Sequence, residues 1–329
     1  MSTNRFSQNV LDYSTPASWF AVGKSSSLKM GEHRSIQFLN QQWILFRGTN
    51  GQLGLISRYC SHMGADLNAG CVAEKQMVCP LHKWRYNRDG SCEADIPSMK
   101  AMEAGLSSFE VQEWAGIIFV FPAKVAVYEL PRDLVHKSAT FSSTNKINFP
   151  FNWFLPALNT FDLSHFGPVH NREFIEKPQI SSIDKNHLEI RFKARVLTRR
   201  LQDRFMKVLG FDTVDVSCDC WGASLLIMRN YKTRVGAVIG VEPRGDSNSN
   251  LYITAFNIAK ENEAPVGKAL RIKLEIGRIA TTAYLKSDIP VLKGMLPREG
   301  VLIPGKDDGV LQFWRFFHQL PKVDVSNEN

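Results

Sequence analysis

The sequence predicts an α+β protein: an all-β domain over residues 18–123, then a domain over 124–329 in which helices pack on an antiparallel sheet. Three observations favour this. Short β-like runs fill the first part without a helix-length periodic stretch. Longer runs of both periods follow Pro122. The chain has 329 residues, of which 44% are hydrophobic, so it can bury a core in each of two domains.

Short apolar runs between turn signals predict the strands of the first domain. These runs are WFAV, QWILFRG, LISRYC, QMVCPL and SFEVQEWAGIIFVF. The dipeptides Asn50-Gly51 and Asp89-Gly90 are typical of hairpin turns between them. We therefore expect a compact β unit.

The second domain mixes helix and strand patterns. The segment FNWFLPALNTFDLSHF predicts a helix buried on most sides, and further helices are expected over about 264–286 and 310–320. Strand-like runs lie between them, at HLEIRFKARV, ASLLIMRNYK, VGAVIGVEP and LYITAFNIAK. Helices on one antiparallel sheet are the simplest arrangement of these elements.

The chain carries 40 Lys and Arg residues against 32 Asp and Glu residues, a formal net charge of +8. This surplus favours an acidic partner, whether nucleic acid, an anionic membrane or an acidic protein. No aromatic-basic pattern indicates nucleic acid. The longest apolar run, Trp114–Phe121, is far shorter than the roughly 20 residues of a membrane-spanning helix. We therefore expect neither nucleic-acid binding nor a membrane span.

Composition also narrows the class of protein and its compartment. It excludes disordered, collagenous and disulfide-knot proteins, and the six cysteines are too sparse for a disulfide scaffold. Metal binding or burial is the better expectation for them. The amino-terminal residues carry neither a secretory signal nor a transit pattern. These features predict a cytoplasmic protein.

Two short segments each supply one cysteine and one histidine. RYCSHMGADL contains Cys60 and His62, and CPLHKW contains Cys79 and His82. Zinc sites usually pair like residues within one element, whereas a Rieske 2Fe-2S cluster binds one iron through two thiolates and the other through two imidazoles. The spacing favours the Rieske cluster, with zinc as the alternative, and Trp84 is expected to shield it.

A second group of ligand-type residues follows the first helix candidate. Asp162, His165 and His170 form the pattern D-x2-H-x4-H. In an unbroken helix His170 would point away from His165, so we expect Gly167-Pro168 to break the helix and bring the two imidazoles together. Two histidines with one carboxylate bind non-haem Fe(II) in oxygenases, whereas a single histidine is more often structural.

The two motifs in this order resemble those of the Rieske non-haem iron oxygenases, and the resemblance covers both domains. Respiratory Rieske proteins have an additional cysteine in each loop, where this chain has Ala65 and Leu81. Lys83 departs from the family, since many members have glycine there. Cys71 and Cys92 are then interpreted as buried packing residues, because four ligands complete the cluster.

The resemblance also implies a fold and further site residues. It implies a helix-grip catalytic domain, similar to Bet v 1 and START proteins, and a third iron ligand near the carboxyl end. Asp288, at the end of a predicted helix, is the preferred candidate, and the Asp307-Asp308 pair is the alternative. The family's homotrimer implies that Asp162 links His165 to His82 of the neighbouring subunit.

The function implied by the resemblance is that of a terminal oxygenase with a Rieske 2Fe-2S cluster and a mononuclear Fe(II). Such a component uses O2 and electrons from NAD(P)H, delivered by a separate reductase with or without an acidic ferredoxin, to hydroxylate a small molecule. The chain has neither a plant-type ferredoxin motif nor a dinucleotide-binding glycine pattern. An oxidative demethylase, a ring dioxygenase, a Rieske electron carrier and a lipid-binding module with structural zinc remain as alternatives.

The loop text HKWRYNRDGSC is most similar to the branch that hydroxylates steroids and other polycyclic molecules, which favours a lipophilic substrate with rings. Aromatic and apolar residues around the second motif are candidates for its pocket, or for the core. The preferred pocket residues are Phe154, Leu158, Asn159 and Phe166, and Phe151, Trp153 and Phe161 are further candidates.

Overall fold

The structure is a computed structural model that describes residues 16–93, 105–197, 212–245, 247–259, 267–293, 295 and 302–323. Within these ranges the chain forms eighteen strands and five α-helices. Every strand pair in them is antiparallel, which confirms the predicted fold class.

The first ten strands form two sheets. They are β1 (Phe20–Lys24), β2 (His33–Phe38), β3 (Gln41–Arg47), β4 (Leu53–Ser57), β5 (Cys71–Ala73), β6 (Gln76–Val78), β7 (Arg85–Tyr86), β8 (Cys92–Glu93), β9 (Ser108–Trp114) and β10 (Ile117–Phe121). The larger sheet has the order β1-β10-β9-β4-β3-β2, and a small sheet, β5-β6-β7-β8, is inserted between β4 and β9. The connections after β4 and β6 carry the first motif.

The remaining strands and the helices form the second layer arrangement. They are β11 (Asn145–Phe149), α1 (Leu155–Phe161), α2 (Phe166–His170), β12 (Arg172–Phe174), β13 (Gln179–Asp184), β14 (His187–Val196), β15 (Thr213–Trp221), β16 (Leu225–Asn230), β17 (Val235–Pro243), β18 (Ser249–Asn257), α3 (Lys268–Lys286), α4 (Ile289–Leu292) and α5 (Asp308–Gln319). The sheet order is β11-β18-β17-β16-β15-β14-β12, with β13 paired to β14. Helix α3 packs against β11, β17 and β18.

The predicted strands and both carboxyl-terminal helices are present. The helix expected over about 264–286 begins at Lys268 in the described residues and ends at Lys286, and residues 260–266 lie outside them. The hairpin turns at Asn50-Gly51 and Asp89-Gly90 are also present, with positive φ at both glycines. Short strands such as β5, β7 and β8 were not predicted, because two or three residues give no periodic signal.

The two large sheets pack together through two hydrophobic clusters. Phe20 of β1 stacks edge-to-face on Trp153, which precedes α1, at 5.2 Å between ring centroids. On β17, a Cβ added to Gly240 would lie 2.8 Å from the Cβ of Ala21 and from the ring of Phe119. The backbone of β17 at Gly240 therefore packs directly on side chains of the first sheet. The predicted domain boundary at residue 123 stays a prediction, because packing is continuous across it.

No helix in the described part of the chain is both long enough and apolar enough to cross a bilayer.

Candidate metal centres

The first motif lies in two loops that fold in the same way. The Cys60 amide donates to the carbonyl of Ala65 at 2.9 Å, and the Cys79 amide donates to the carbonyl of Trp84 at 2.8 Å. In each loop the fourth residue after the cysteine, Gly64 or Lys83, has positive φ, of 71° and 62° respectively. The symmetry expected from the sequence is therefore present in the backbone.

The two cysteines and the two histidines of this motif differ in burial. Both cysteines are buried, at 4% exposure for Cys60 and 1% for Cys79, whereas both histidines are exposed at the loop tips. The Nδ1 atoms of His62 and His82 lie 3.1 Å apart. Two thiols inside and two imidazoles outside is the donor set of a Rieske cluster.

Surrounding groups fit a bound cluster. The Tyr86 hydroxyl lies 3.0 Å from the Cys60 sulfur, and the amides of Leu81 and His82 donate to the Cys79 sulfur. Burial nevertheless raises the pKa of the Cys79 thiol, so a metal is needed to hold it as a thiolate at neutral pH. The Trp84 ring stacks on His62, with centroids 4.4 Å apart and planes 5° from parallel, and shields that imidazole.

The remaining cysteines only partly match the prediction of burial. Cys92, Cys218 and Cys220 are buried, but Cys71 is exposed. Cys71 begins β5, which is the edge strand of the small sheet, and its side chain faces outward. The prediction for Cys71 was therefore wrong.

The second motif folds differently from the prediction. Helix α1 ends at Phe161, and Asp162 follows it with an extended ψ of 95°. A 3-10 turn over Leu163–His165 then leads into α2. Gly167-Pro168 lies in the first turn of α2 and does not break the helix. Proline is tolerated there because first-turn amides have no intrahelical partner. The 3-10 turn ends at His165 and α2 ends at His170, so the junction between these two elements sets how the two histidines lie relative to each other.

Three ligand-type atoms converge in this region. The Nε2 atoms of His165 and His170 lie 3.1 Å apart, and Asp288 Oδ1 lies 3.0 Å from Nε2 of His170. Each of the three residues has a donor atom within 4.8 Å of the other two. Donors about 2.1 Å from one ion and at right angles to each other would be about 3.0 Å apart. The spacing thus fits a single ion.

The other ring nitrogens show which atoms face the centre. His165 Nδ1 contacts the backbone carbonyl of Asp162 at 2.5 Å, and His170 Nδ1 lies 3.3 Å from the Ser287 hydroxyl, which itself donates to the Tyr284 carbonyl. Both contacts place the proton on Nδ1, so Nε2 presents a lone pair. Burial lowers the pKa of His165, and His170 lowers it further, which favours the neutral ring.

Asp288 supplies the strongest sign that a cation belongs here. Its side chain is only 6% exposed, and among the described residues Oδ1 makes no hydrogen bond. A buried carboxylate oxygen facing two imidazole lone pairs is unfavourable unless a cation lies between them. The residues therefore fit the two-histidine, one-carboxylate set of a mononuclear iron.

The alternative carboxylates have other tasks. Asp307 Oδ2 accepts the Ile303 amide at 2.8 Å, and Asp308 Oδ1 accepts the Gly305 amide at 2.7 Å. Both therefore fix the loop that enters α5. Within the described ranges, the group of three ligand-type residues that includes His165 and His170 is completed by Asp288.

Asp162 lies beside the centre, but its carboxylate does not bond His165 as expected. Oδ1 accepts the Ser164 amide at 3.0 Å, and Oδ2 lies 3.7 Å from His165 Nδ1, too far for a hydrogen bond. The backbone carbonyl makes that contact instead, because Asp162 has left the helix. The carboxylate remains 34% exposed.

A narrow cavity of about 30 Å³ adjoins the three ligand-type residues. It has room for a water molecule or a diatomic gas, and is far smaller than the roughly 300–1,000 Å³ of ligand pockets. Besides the three residues, it is lined by Phe149, Pro156, Asn159, Thr160, Phe166, Phe192, Cys218, Met228, Tyr284 and Leu285. The lining is mainly apolar.

The predicted pocket residues divide between cavity and core. Asn159 and Phe166 line the cavity, and Asn159 Nδ2 lies 3.3 Å from His165 Nε2. Phe154 packs on Trp314 and Phe317 of α5 instead, and Leu158 is likewise a buried core residue. Neither residue lines this cavity, because Phe154 packs under α5, and their role in a substrate pocket stays a prediction.

The further aromatic candidates are also core residues. Phe161 stacks on Phe313 of α5, and Phe151 and Trp153 belong to the hydrophobic core. None of the three lines the cavity formed by the described residues.

Two residues around His170 had no signal in the sequence. Tyr284 stacks on the His170 ring, with centroids 4.0 Å apart and planes 18° from parallel, and Ser287 contacts its Nδ1. Tyr284 lies in the last turn of α3, and Ser287 follows the helix directly before Asp288. Together they fix the orientation of His170.

The comparisons with known proteins agree with this geometry. Residues 18–115 match the family model described as the Rieske [2Fe-2S] domain. Chlorophyllide a oxygenase of Oryza sativa subsp. japonica is 29% identical over 168 residues, 51% of this chain and 31% of the relative. The probable 3-ketosteroid-9-alpha-monooxygenase oxygenase component of Rhodococcus rhodochrous is 31% identical over 123 residues, 34% of this chain and 31% of the relative. The chain thus spans about a third of the length of these relatives.

Solved structures share the fold along nearly the whole chain. Dicamba monooxygenase bound to 3,6-dichlorosalicylic acid superposes with a TM-score of 0.63 at 13% identity, covering 93% of this chain and 97% of that one. A quaternary ammonium Rieske monooxygenase, described for carnitine oxidation and inter-subunit electron transfer, superposes with a TM-score of 0.57 at 16% identity, covering 93% and 89%.

The chain therefore has a Rieske 2Fe-2S domain followed by a catalytic-domain fold of the Rieske oxygenases. The resemblance to the Rieske non-haem iron oxygenases is confirmed at the level of the Rieske domain and of the fold.

Replacing Lys83 tests the strain in the second Rieske loop. A non-glycine residue with left-handed φ costs about 1–2 kcal/mol, of which glycine's greater freedom in the unfolded chain offsets about half. We expect Lys83→Gly to raise the free energy of urea unfolding by about 0.5–1 kcal/mol. The matched control is Gly64→Ala, where no atom lies within 4 Å of the added Cβ and backbone strain alone should lower it. Lys83→Gly without a gain would contradict the argument.

Ser287 offers a test of how His170 is held. We expect Ser287→Ala to weaken binding of ferrous ion to the second centre about tenfold or more, because the imidazole loses the acceptor that fixes its Nδ1 proton. Ser287→Thr keeps a hydroxyl and should stay near the wild-type dissociation constant. Chelator competition measures both, and equal affinity in Ser287→Ala and the wild type would exclude this role.

The depressed pKa of His165 predicts how stability depends on pH. The folded chain binds fewer protons at this ring than the unfolded chain, whose histidine pKa is about 6.5. The stability contributed by the neutral ring is therefore present above about pH 6.5 and is lost as the pH falls below it. Urea unfolding of the metal-free protein between about pH 7 and 5.5 should show this loss.

The pH test is controlled by two variants. His165→Asn should reduce the slope of unfolding free energy against pH, whereas His136→Asn, at an exposed histidine, should leave it unchanged. An unaltered slope in His165→Asn would show that another group carries the dependence.

Proposed function

We propose that the protein is the terminal component of a Rieske oxygenase, which uses O2 and electrons derived from NAD(P)H to hydroxylate a small, lipophilic, ring-containing molecule. The observation that carries the proposal is the presence in one chain of both donor sets. Cys60, His62, Cys79 and His82 would hold a 2Fe-2S cluster, and His165, His170 and Asp288 would hold a mononuclear iron.

The two groups have complementary chemistry. When bound, the cluster supplies electrons one at a time and the ferrous ion provides open positions for O2. Hydroxylation consumes one O2, two electrons and two protons, and yields the alcohol and one water. A separate reductase supplies the electrons, with or without an acidic ferredoxin. The net charge of +8 favours encounter with such an acidic partner.

In this proposal, electrons enter and leave the cluster on the side of its two histidines. The thiols are buried, whereas the imidazoles of His62 and His82 lie at the surface, so the histidine side is the part that another protein or subunit can approach. In this proposal, the histidine side of a neighbouring protomer contacts Asp162. Its carboxylate is one-third exposed, and its carbonyl contacts His165.

This arrangement supports a homotrimer in which His82 of one protomer meets Asp162 of the next. Among the described residues, the Asp162 carboxylate, which is one-third exposed, contacts Ser164 and His165, and the exposed imidazole of His82 contacts His62. The quaternary ammonium Rieske monooxygenase, described for inter-subunit electron transfer, is consistent with the same route here.

The second centre is suited to chemistry that excludes water. Phe166, Phe192 and Met228 surround it with apolar groups, and Asn159 places an amide nitrogen 3.3 Å from His165 Nε2. A cavity of about 30 Å³ must widen before a ring-containing molecule can enter. The names of the relatives, which include a ketosteroid monooxygenase and chlorophyllide a oxygenase, favour a lipophilic polycyclic substrate, and we propose a cytoplasmic enzyme.

Metal content and turnover test the proposal together. The purified protein should contain about three irons per chain, two in the cluster and one in the second centre. Asp288→Ala should lose one iron while keeping the Rieske absorption spectrum, and Asp307→Ala, at a carboxylate that only caps a loop, should keep all of it. With a reductase and NADH, wild type should convert ketosteroids to products heavier by one oxygen atom.

Two outcomes would count against this function. Wild-type protein with about two irons per chain would indicate an electron carrier, since only the cluster would be present. Full iron content in Asp288→Ala would show that Asp288 is not a ligand.

A further inference from the structure

Helix α3 has apolar side chains on the face that points away from the sheet. Ile272, Ile276 and Ile279 are 62%, 61% and 58% exposed, and their spacing places them along one side of the helix. Leu274 and Leu285 on the opposite side are buried against the sheet. The helix is therefore apolar on both sides. We call Ile272, Ile276 and Ile279 the isoleucine face.

Basic residues border the isoleucine face. Lys268, Arg271, Lys273 and Lys286 are all exposed, and none has an ion-pair partner among the residues that the structure describes. The helix also contains Glu275, but its carboxylate is occupied by Arg278 at 2.8 Å and by the Ser143 amide at 2.6 Å. The border of the face is consequently positive.

The exposed apolar residues continue beyond α3. Val291 in α4 is 60% exposed and Met295 is 44% exposed. Single exposed apolar residues are ordinary on protein surfaces, but a set on one helix side, bordered by charge, is typical of an interaction site.

A second copy of the chain is a poor occupant of this face. Stable interfaces use about 20–30 residues on each side, many more than this narrow face offers. A symmetric contact would also bring the basic borders of two copies together, and such like-charge contacts are unfavourable. In the proposed homotrimer, the protomers meet at His82 and Asp162 instead.

An anionic lipid surface matches both properties of the face. Helices that lie in a membrane interface have one apolar side, which enters the boundary of the acyl chains, and Lys or Arg residues beside it, which contact anionic headgroups. We propose that the isoleucine face docks the protein on an anionic membrane, with α3 parallel to the surface. Docking of this kind needs no membrane-spanning helix, and it does not depend on the proposed oxygenase activity.

Vesicle co-sedimentation of the full-length protein tests the proposal. We expect binding to phosphatidylcholine vesicles that contain phosphatidylglycerol, and little binding to phosphatidylcholine alone. The triple variant Ile272→Gln, Ile276→Gln, Ile279→Gln should reduce the partition coefficient about tenfold or more, because the buried apolar area is lost. The matched control, Ile175→Gln with Ile183→Gln, changes isoleucines that are 53% and 54% exposed elsewhere and should bind like wild type.

A second variant, with changed charges, tests the proposal even if the triple variant does not fold. Arg271→Gln with Lys273→Gln retains the isoleucines and should weaken binding about fivefold for each cation removed. Equal binding to both vesicle types, or unchanged binding in the triple and charge variants, would overturn the proposal. So would absence of vesicle binding together with a change in sedimentation velocity of the triple variant, since that result would place a second copy on the face.

Discussion

Three hydrogen-bond acceptors face one another beside the eight-stranded sheet, and the surrounding structure is arranged to keep them there. The imidazole nitrogens of His165 and His170 and the carboxylate of Asp288 lie about as close as ligands of one ion. Backbone and hydroxyl acceptors hold the two rings in this orientation. The large sheet, and the helix α3 that crosses it, bring Asp288 to the histidines from the far end of the chain.

At the Cys60, His62, Cys79 and His82 group the histidines are exposed instead of enclosed. Its sulfur atoms are buried and its imidazoles are exposed, whereas the second group of ligand-type residues lies beside a narrow apolar cavity. In the proposed function, this separation leaves the side that would exchange electrons open to a partner and keeps water away from the side that would react with substrate.

The sequence predicted the ligand-type residues better than their local backbone. The patterns C-x-H, C-x2-H and D-x2-H-x4-H are short and can be recognised in the sequence without knowledge of the fold. Asp288 was preferred as the third ligand because it follows a long predicted helix. The predicted helix break at Gly167-Pro168 was wrong because a proline in the first helical turn costs no hydrogen bond. The contacts of Ser287 and Tyr284 with His170, and the burial of Phe154, could not be predicted in this way. They depend on how α3 and α5 pack, which no local sequence pattern encodes.

The central claim is that the two centres act as one oxygenase. The most direct measurement is the rate at which the chemically reduced protein is reoxidised by O2 in the presence of a ketosteroid, followed through the Rieske absorption. We expect rapid reoxidation in the wild type and a rate many times slower in Asp288→Ala with its Rieske spectrum intact. Equal rates in the two proteins would show that electrons leave the first domain without the second centre, and would contradict the account.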